Sequence, residues 1–105
     1  MQIDISGQHV EITPALREYV TKKLEKLPHH FDKITHAHVV LSVEKLINRA
    51  VGQVHMPGVV LHAESECRDM YEAIDGLEVR LTRQVQKHKE KMKSHQQGED
   101  DDSIR

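Results

Sequence analysis

Asp69-Met70-Tyr71-Glu72-Ala73-Ile74-Asp75-Gly76-Leu77-Glu78-Val79-Arg80-Leu81-Thr82-Arg83-Gln84-Val85-Gln86-Lys87-His88-Lys89-Glu90-Lys91-Met92 is the stretch whose reading decides the fold. Ala73, Ile74, Leu77, Leu81, Val85, His88 and Met92 recur every three or four residues, which draws one continuous stripe along a helix. Asp69 is a good N-cap, because its carboxylate can accept from the unpaired N–H groups of the first turn. The spacing therefore predicts a helix from about Asp69 to about His95. Gly76 inside it costs about 1 kcal/mol relative to alanine, a cost that close packing on a sheet would offset.

The segments upstream supply that sheet. Ile3 and Ile5 alternate with Gln2, Asp4 and Ser6, the period of a half-buried strand over residues 2–7. Thr13-Pro14 reads as a helix start, and Leu16, Tyr19, Val20, Leu24 and Leu27 follow at helical spacing. Pro28 cannot continue a helix, so this one is placed at 14–27. Ala37, Val39, Leu41 and Val43 alternate with His36, His38, Val40, Ser42 and Glu44 as a long second strand. After a turn around Leu46 to Asn48 come a strand from Ala50 to Met56, a Pro57-Gly58 turn, and a strand from Val59 to Ser65. The order is β-α-β-β-β-α, an α+β fold with a four-stranded sheet and two helices packed on one face. A right-handed crossover makes the first two strands parallel, and the rest form an antiparallel meander. The other face carries His36, His38, Ser42, Glu44, His62 and Glu64 and meets water.

With 105 residues the chain suits one domain, expected over 1–95. Aromatic residues make up only 3%, so the core is built from Val, Leu, Ile and Ala. One cysteine cannot form an internal disulfide, which fits a reducing cytoplasm. No apolar run approaches the roughly 20 residues that span a bilayer, and the first residues lack the basic and apolar regions of a signal peptide.

The formal net charge of −2 conceals three unlike segments. Residues 1–78 hold 8 Lys and Arg against 12 Asp and Glu; residues 79–98 hold 6 against 1; residues 99–105, Glu99-Asp100-Asp101-Asp102-Ser103-Ile104-Arg105, hold 1 against 4. The acidic tail, taken as 96–105, is expected to be disordered. At about 100° per residue, Arg80, Arg83, Lys87 and Lys91 fall within roughly 80° of one another, about 120° from the centre of the apolar stripe. Lys22, Lys23 and Lys26 likewise avoid the apolar side of the first helix. Side by side on the sheet, the two ridges would flank one groove. Solvated lysine-rich faces are ordinary, but residues 79–93 contain Glu90 as their sole acid, so charge pairing along this ridge is largely missing. Phosphate oxygens suit such a surface, and the scarcity of aromatics favours structured RNA over stacked single strands.

Asp69-Met70-Tyr71-Glu72-Ala73-Ile74-Asp75-Gly76-Leu77, continued by Arg80, Arg83, Gln84, Lys87, His88 and Lys89, resembles the bacterial ribosome hibernation-promoting factor family. Ile3-x-Ile5-x-Gly7 and Val10-Glu11-Ile12-Thr13, followed by Ala15-Leu16-Arg17-Glu18-Tyr19-Val20, is similar to that family's N-terminal signature. The resemblance covers about residues 1–95 and in length is to the short form. It implies a fold like double-stranded-RNA-binding domains and no enzymatic activity. The implied partner is the small (30S) ribosomal subunit, bound between head and body where tRNA and mRNA would sit. The implied role is to block translation in stationary phase or stress and to promote inactive paired (100S) ribosomes from 70S ones, together with a ribosome modulation factor. By position, Lys22, Lys23, Lys26, Arg80, Arg83, Lys87, Lys89 and Lys91 would contact rRNA phosphates, with Lys93 at the helix end. The chain runs longer than a minimal short form and shorter than the related stationary-phase inhibitor, whose longer tail opposes pairing and keeps ribosomes as inactive monomers; the promoting role is the favoured expectation.

Other constellations point elsewhere only weakly. Nine histidines include His29-His30 and the strand pair His36 and His38, but no matching Cys or carboxylate spacing completes a metal site. His36 and His38 share a strand face, where protonation would add positive charge. Cys67 reads as a buried, inert thiol at a strand–helix junction. Gly52, Gly58 and Gly76 are isolated, so there is no phosphate loop. No cofactor, metal or catalytic residue is expected. A module that docks proteins on the open sheet face, sensitive at His36, Val40 or His62, is the competing class.

Overall fold

In the computed structural model, which describes residues 1–96, the alternating segments become four strands: β1 (Gln2–Gln8), β2 (His36–Glu44), β3 (Ile47–Met56) and β4 (Val59–Cys67). They form one sheet in the order β1-β2-β3-β4, with β1 parallel to β2 and the others antiparallel. The register aligns Ile5, Val39, Gly52 and Ala63 in one row across the core face. Ala37, Leu41, Ala50 and Val54 fill neighbouring rows and are fully buried.

The first helix differs from expectation. Helix α1 (Pro14–Leu24) starts where Thr13 Oγ1 accepts from the Leu16 N–H at 3.2 Å, but it ends at Leu24. A separate short helix, α2, spans Leu27–His30. Pro28 explains the division: continued helix would require its N–H to bond the Leu24 carbonyl, and proline has none. Its fixed φ instead suits the first turn of a new helix. The β2–β3 turn is also tighter than the sequence suggests. Ile47 already belongs to β3, and Lys45 reverses the chain with φ at 58°.

Helix α3 (Met70–Gln96) is the long helix anticipated from the stripe. Asp69 Oδ1 accepts from the Tyr71 N–H at 3.1 Å, as its N-cap role requires. Ile74, Leu77, Leu81 and Val85 are buried against the sheet, together with Val20 and Leu24 of α1 and Leu27 of α2. His88 ends the stripe half-buried, with Phe31 edge-on at 5.9 Å between centroids. The side chains of Met92 and Lys93, and the expected acidic tail from residue 97 onward, lie outside the described residues.

Two glycines set how closely α3 sits. A Cβ on Gly52 would stand 3.1 Å from methyl carbons of both Leu77 and Leu81. A Cβ on Gly76 would overlap Ser65 Oγ and lie 3.3 Å from Ser65 Cβ. The intrinsic preference for alanine over glycine in a helix is about 1 kcal/mol, so a free site would gain from Gly76→Ala. Overpacking typically costs about 1–3 kcal/mol, and here the overlap decides the sign. Gly76→Ala is expected to lower stability in urea unfolding, and Ser65→Gly is expected to reverse that penalty in a double-mutant cycle.

Candidate nucleic-acid interface

The seat of α3 turns Arg80 and Gln84, one helical turn apart, toward the edge strand β4. Arg80 Nη1 donates to the Glu64 carbonyl, and Gln84 Nε2 donates to the His62 carbonyl at 2.8 Å. Outside these two contacts, Arg83 and Lys87 join Ala63, Glu64, Arg80 and Gln84 around an open cavity of about 370 Å³. Arg83 and Lys87 are exposed and make no ion pair among the described residues. The one carboxylate in this lining, Glu64, is held elsewhere. Its Oε1 accepts from Arg49 Nε at 3.0 Å and from Arg49 Nη2 on the open face of the sheet. The Arg49 hydrogen bonds hold the Glu64 carboxyl below its usual range and raise the pKa of the Arg49 guanidinium. The groove between α3 and β4 thus presents Arg83 and Lys87 without an ion pair among the described residues, a surface suited to phosphate oxygens.

A second junction joins α1 to α3. Tyr19 Oη donates to Asp75 Oδ1 at 2.6 Å, and Lys23 Nζ lies 3.2 Å from the same oxygen. The Tyr19 ring meets Tyr71 edge-on at 4.8 Å, with the Lys23 ammonium 5.5 Å from its centroid. The Tyr19 hydrogen bond, with help from Lys23, holds the Asp75 carboxyl below its usual range against the opposing effect of burial. Bonding to Asp75 raises both the Tyr19 phenol and the Lys23 ammonium.

This junction changes the expected arrangement of cations. Asp75 and Arg80 are about 140° apart around α3, so α1 docks on one flank while the basic ridge lines the other. The two ridges therefore do not flank a common groove. Arg80, Arg83 and Lys87 are brought together, and Lys91 continues their line. Lys89, assigned by resemblance, lies about 180° from Arg80 on the opposite flank. Lys23 is only 28% exposed and tied to Asp75. Lys22, 74% exposed, faces Glu18 at 4.0 Å in a weak, salt-screened pair, and Lys26 is exposed beside the start of α2. Arg49 escapes the sequence reading, although its register opposite Glu66 and beside Glu64 would expose the pairing.

A family model described as "Sigma 54 modulation protein / S30EA ribosomal protein" matches residues 3–93. The chain belongs to this family. Within it, a protein of Klebsiella oxytoca named ribosome hibernation promoting factor is 50% identical over 95 residues, covering 90% of this chain and 100% of the relative. A Pseudomonas putida protein of the same name is 50% identical over 98 residues, covering 93% and 96%. Among solved structures, a ribosomal subunit interface protein from Coxiella burnetii superposes with a TM-score of 0.81 at 37% identity, over 85% of this chain and 98% of that one. The N-terminal domain of Thermus thermophilus Protein Y gives 0.79 at 41% identity, over 84% and 99%. The S30EA family is not an enzyme family. Among the described residues no helix is long and apolar enough to cross a membrane, and no cluster of His, Cys, Asp or Glu is arranged to hold a metal ion.

The Asp75 junction gives a pH test. The folded state lowers the Asp75 pKa, so ionised Asp75 favours folding above the ordinary carboxylate value of about 3.9. That contribution fades as the pH falls through the depressed folded-state pKa. Asp75→Asn is expected to lower Tm by roughly a few degrees at neutral pH. The gap from wild type should close in thermal melts taken well below about pH 4.

Proposed function

We propose that this protein is a ribosome hibernation factor that seats on the small ribosomal subunit between head and body, over the tRNA and mRNA sites. There it blocks translation and, with a ribosome modulation factor, favours paired inactive ribosomes in the cytoplasm of resting or stressed cells. The observation that carries the reading is the groove between α3 and β4, where Arg83 and Lys87 stand exposed with Arg80 beside them and the Glu64 carboxylate turned away. Membership of the S30EA family supports it, as do relatives named ribosome hibernation promoting factor that align over their whole or nearly whole length. Mechanically, Arg83 offers a planar fork to two phosphate oxygens and Lys87 a mobile point charge. Each phosphate neutralised releases condensed counterions, which makes binding strongly salt-dependent. Lys91 extends the track, Lys22 and Lys26 serve a neighbouring stretch of rRNA across the helical surface, and Lys89 serves the far flank. Lys23 contributes chiefly through its tie to Asp75.

Sedimentation through sucrose gradients tests this with purified ribosomes, at low and high salt, with and without the modulation factor. The protein is expected to co-migrate with the small subunit at low salt and to shift ribosomes toward pairs when the modulation factor is present. The Arg83→Glu/Lys87→Glu variant should remain at the top of the gradient, and replacing both residues by alanine should reduce the salt slope of RNA binding by about 2. Wild-type protein that stays at the top at low salt would sink the reading. Suppression of pairing would convert it to that of an inhibitor.

A further inference from the structure

The sheet face turned away from the helices gathers four imidazoles at one end. The register sets His36 of β2 beside His55 of β3, and one pleat further along aligns His38 with Gln53 of β3 and His62 of β4. The His36 and His55 rings stack, with centroids 5.1 Å apart and planes 17° from parallel. From β1, Asp4 is the carboxylate facing this group, its Oδ2 2.8 Å from His36 Nε2. Glu64 stands one pleat beyond His62 on β4 and is tied to Arg49 of β3; Arg49 itself, Glu66 of β4 and Glu44 of β2 lie further along, with Arg49 bridging the two glutamates. With neutral imidazoles the histidine end carries −1, from Asp4. With all four protonated, +4 from the rings and −1 from Asp4 make those two rows +3, beside a Glu64 whose charge Arg49 offsets. Histidine is the side chain whose ordinary chemistry places such a change between about pH 5 and 8.

We propose that this end of the open face is a second RNA-binding surface, assembled by protonation of His36, His38, His55 and His62. It lies on the side of the sheet opposite the α3–β4 groove. Imidazolium N–H groups donate charge-assisted hydrogen bonds to phosphate, and imidazole planes stack with unpaired bases. The ligand is therefore the sugar–phosphate backbone of RNA with at least one unstacked base. The choice of RNA rests on the reading of the α3 groove; the patch itself shares no residue with that groove. With the imidazoles uncharged, Asp4 leaves the patch mildly repulsive to phosphate; their protonation reverses the sign.

The test measures fluorescence anisotropy of a labelled RNA hairpin with a single-stranded overhang, titrated with the full chain at fixed ionic strength. Affinities are compared at about pH 7.5 and about pH 5.5, on either side of the ordinary imidazole value. The Arg83→Glu/Lys87→Glu background silences the groove. In that background affinity should rise by about tenfold or more in acid, as the protonated rings neutralise phosphates and release their counterions. Replacing all four histidines by glutamine should abolish the rise, and His38→Gln/His62→Gln should diminish it without disturbing the stacked pair. His29→Gln, on α2 and away from the patch, should leave it intact. Equal affinity at both pH values overturns the proposal, as does an acid-driven rise that survives the fourfold replacement in a chain that still melts cooperatively. Wild-type binding at pH 7.5 with no rise in acid overturns this surface alone, whereas no RNA or ribosome binding at either pH overturns the proposed function as well.

Discussion

The close approach of α3 to the sheet is the constraint on which the rest of the structure depends. Gly52 admits Leu77 and Leu81 to the floor of the sheet, and Gly76 lets the helix backbone pass against Ser65. Interiors are packed densely enough that one added methyl group is felt. This seat fixes both the depth and the rotation of the helix. It brings Arg80 and Gln84 within reach of β4 carbonyls and presents Asp75 to Tyr19 and Lys23 on the other flank. Moving the helix outward by the width of a methyl group would loosen both flanks together.

Much of this is legible in the chain. The stripe from Ala73 to Val85 and the alternation of Leu61, Ala63 and Ser65 with His62, Glu64 and Glu66 are local periodicities, the Asp69 cap is a local signal, and the parallel β1–β2 pair follows from the crossover rule; the structure keeps them all. The glycine in the long helix is also readable as a close-packing position. What escapes is relational. A helical wheel shows that Lys22, Lys23 and Lys26 share a side, but not that this side meets Asp75 fifty residues later. It shows a ridge at Arg80, Arg83 and Lys87, but not whether that ridge faces α1 or β4. The break after Leu24 is hidden because Pro28 reads first as a terminator, when proline also suits the beginning of a helix. Lys89 enters by resemblance, and its angle around α3 already sets it apart from Arg80.

Charge is sorted by surface more than by segment. On the β4 flank of α3, Arg83 and Lys87 make no ion pair among the described residues and Glu64 is engaged by Arg49, while the α1 flank consumes Lys23 in an ion pair. On the open face, Arg49 neutralises much of the Glu64 and Glu66 pair, leaving the histidines and Asp4 at the far end. A chain with a formal charge of −2 can therefore carry a strongly positive groove. The global value and the local field describe different things.

The two contacts from α3 to β4 have a meaning beyond the groove they border. β4 is an outermost strand of nine residues, and such an edge ordinarily offers unpaired backbone groups on which a foreign strand can add. Arg80 and Gln84 occupy two of its carbonyls with side-chain donors, so the edge is plugged from within the same molecule. Self-association through β4 would first have to displace both plugs. Arg80 thus belongs to the sheet edge as well as to the groove, and a phosphate that drew it away would leave the Glu64 carbonyl open.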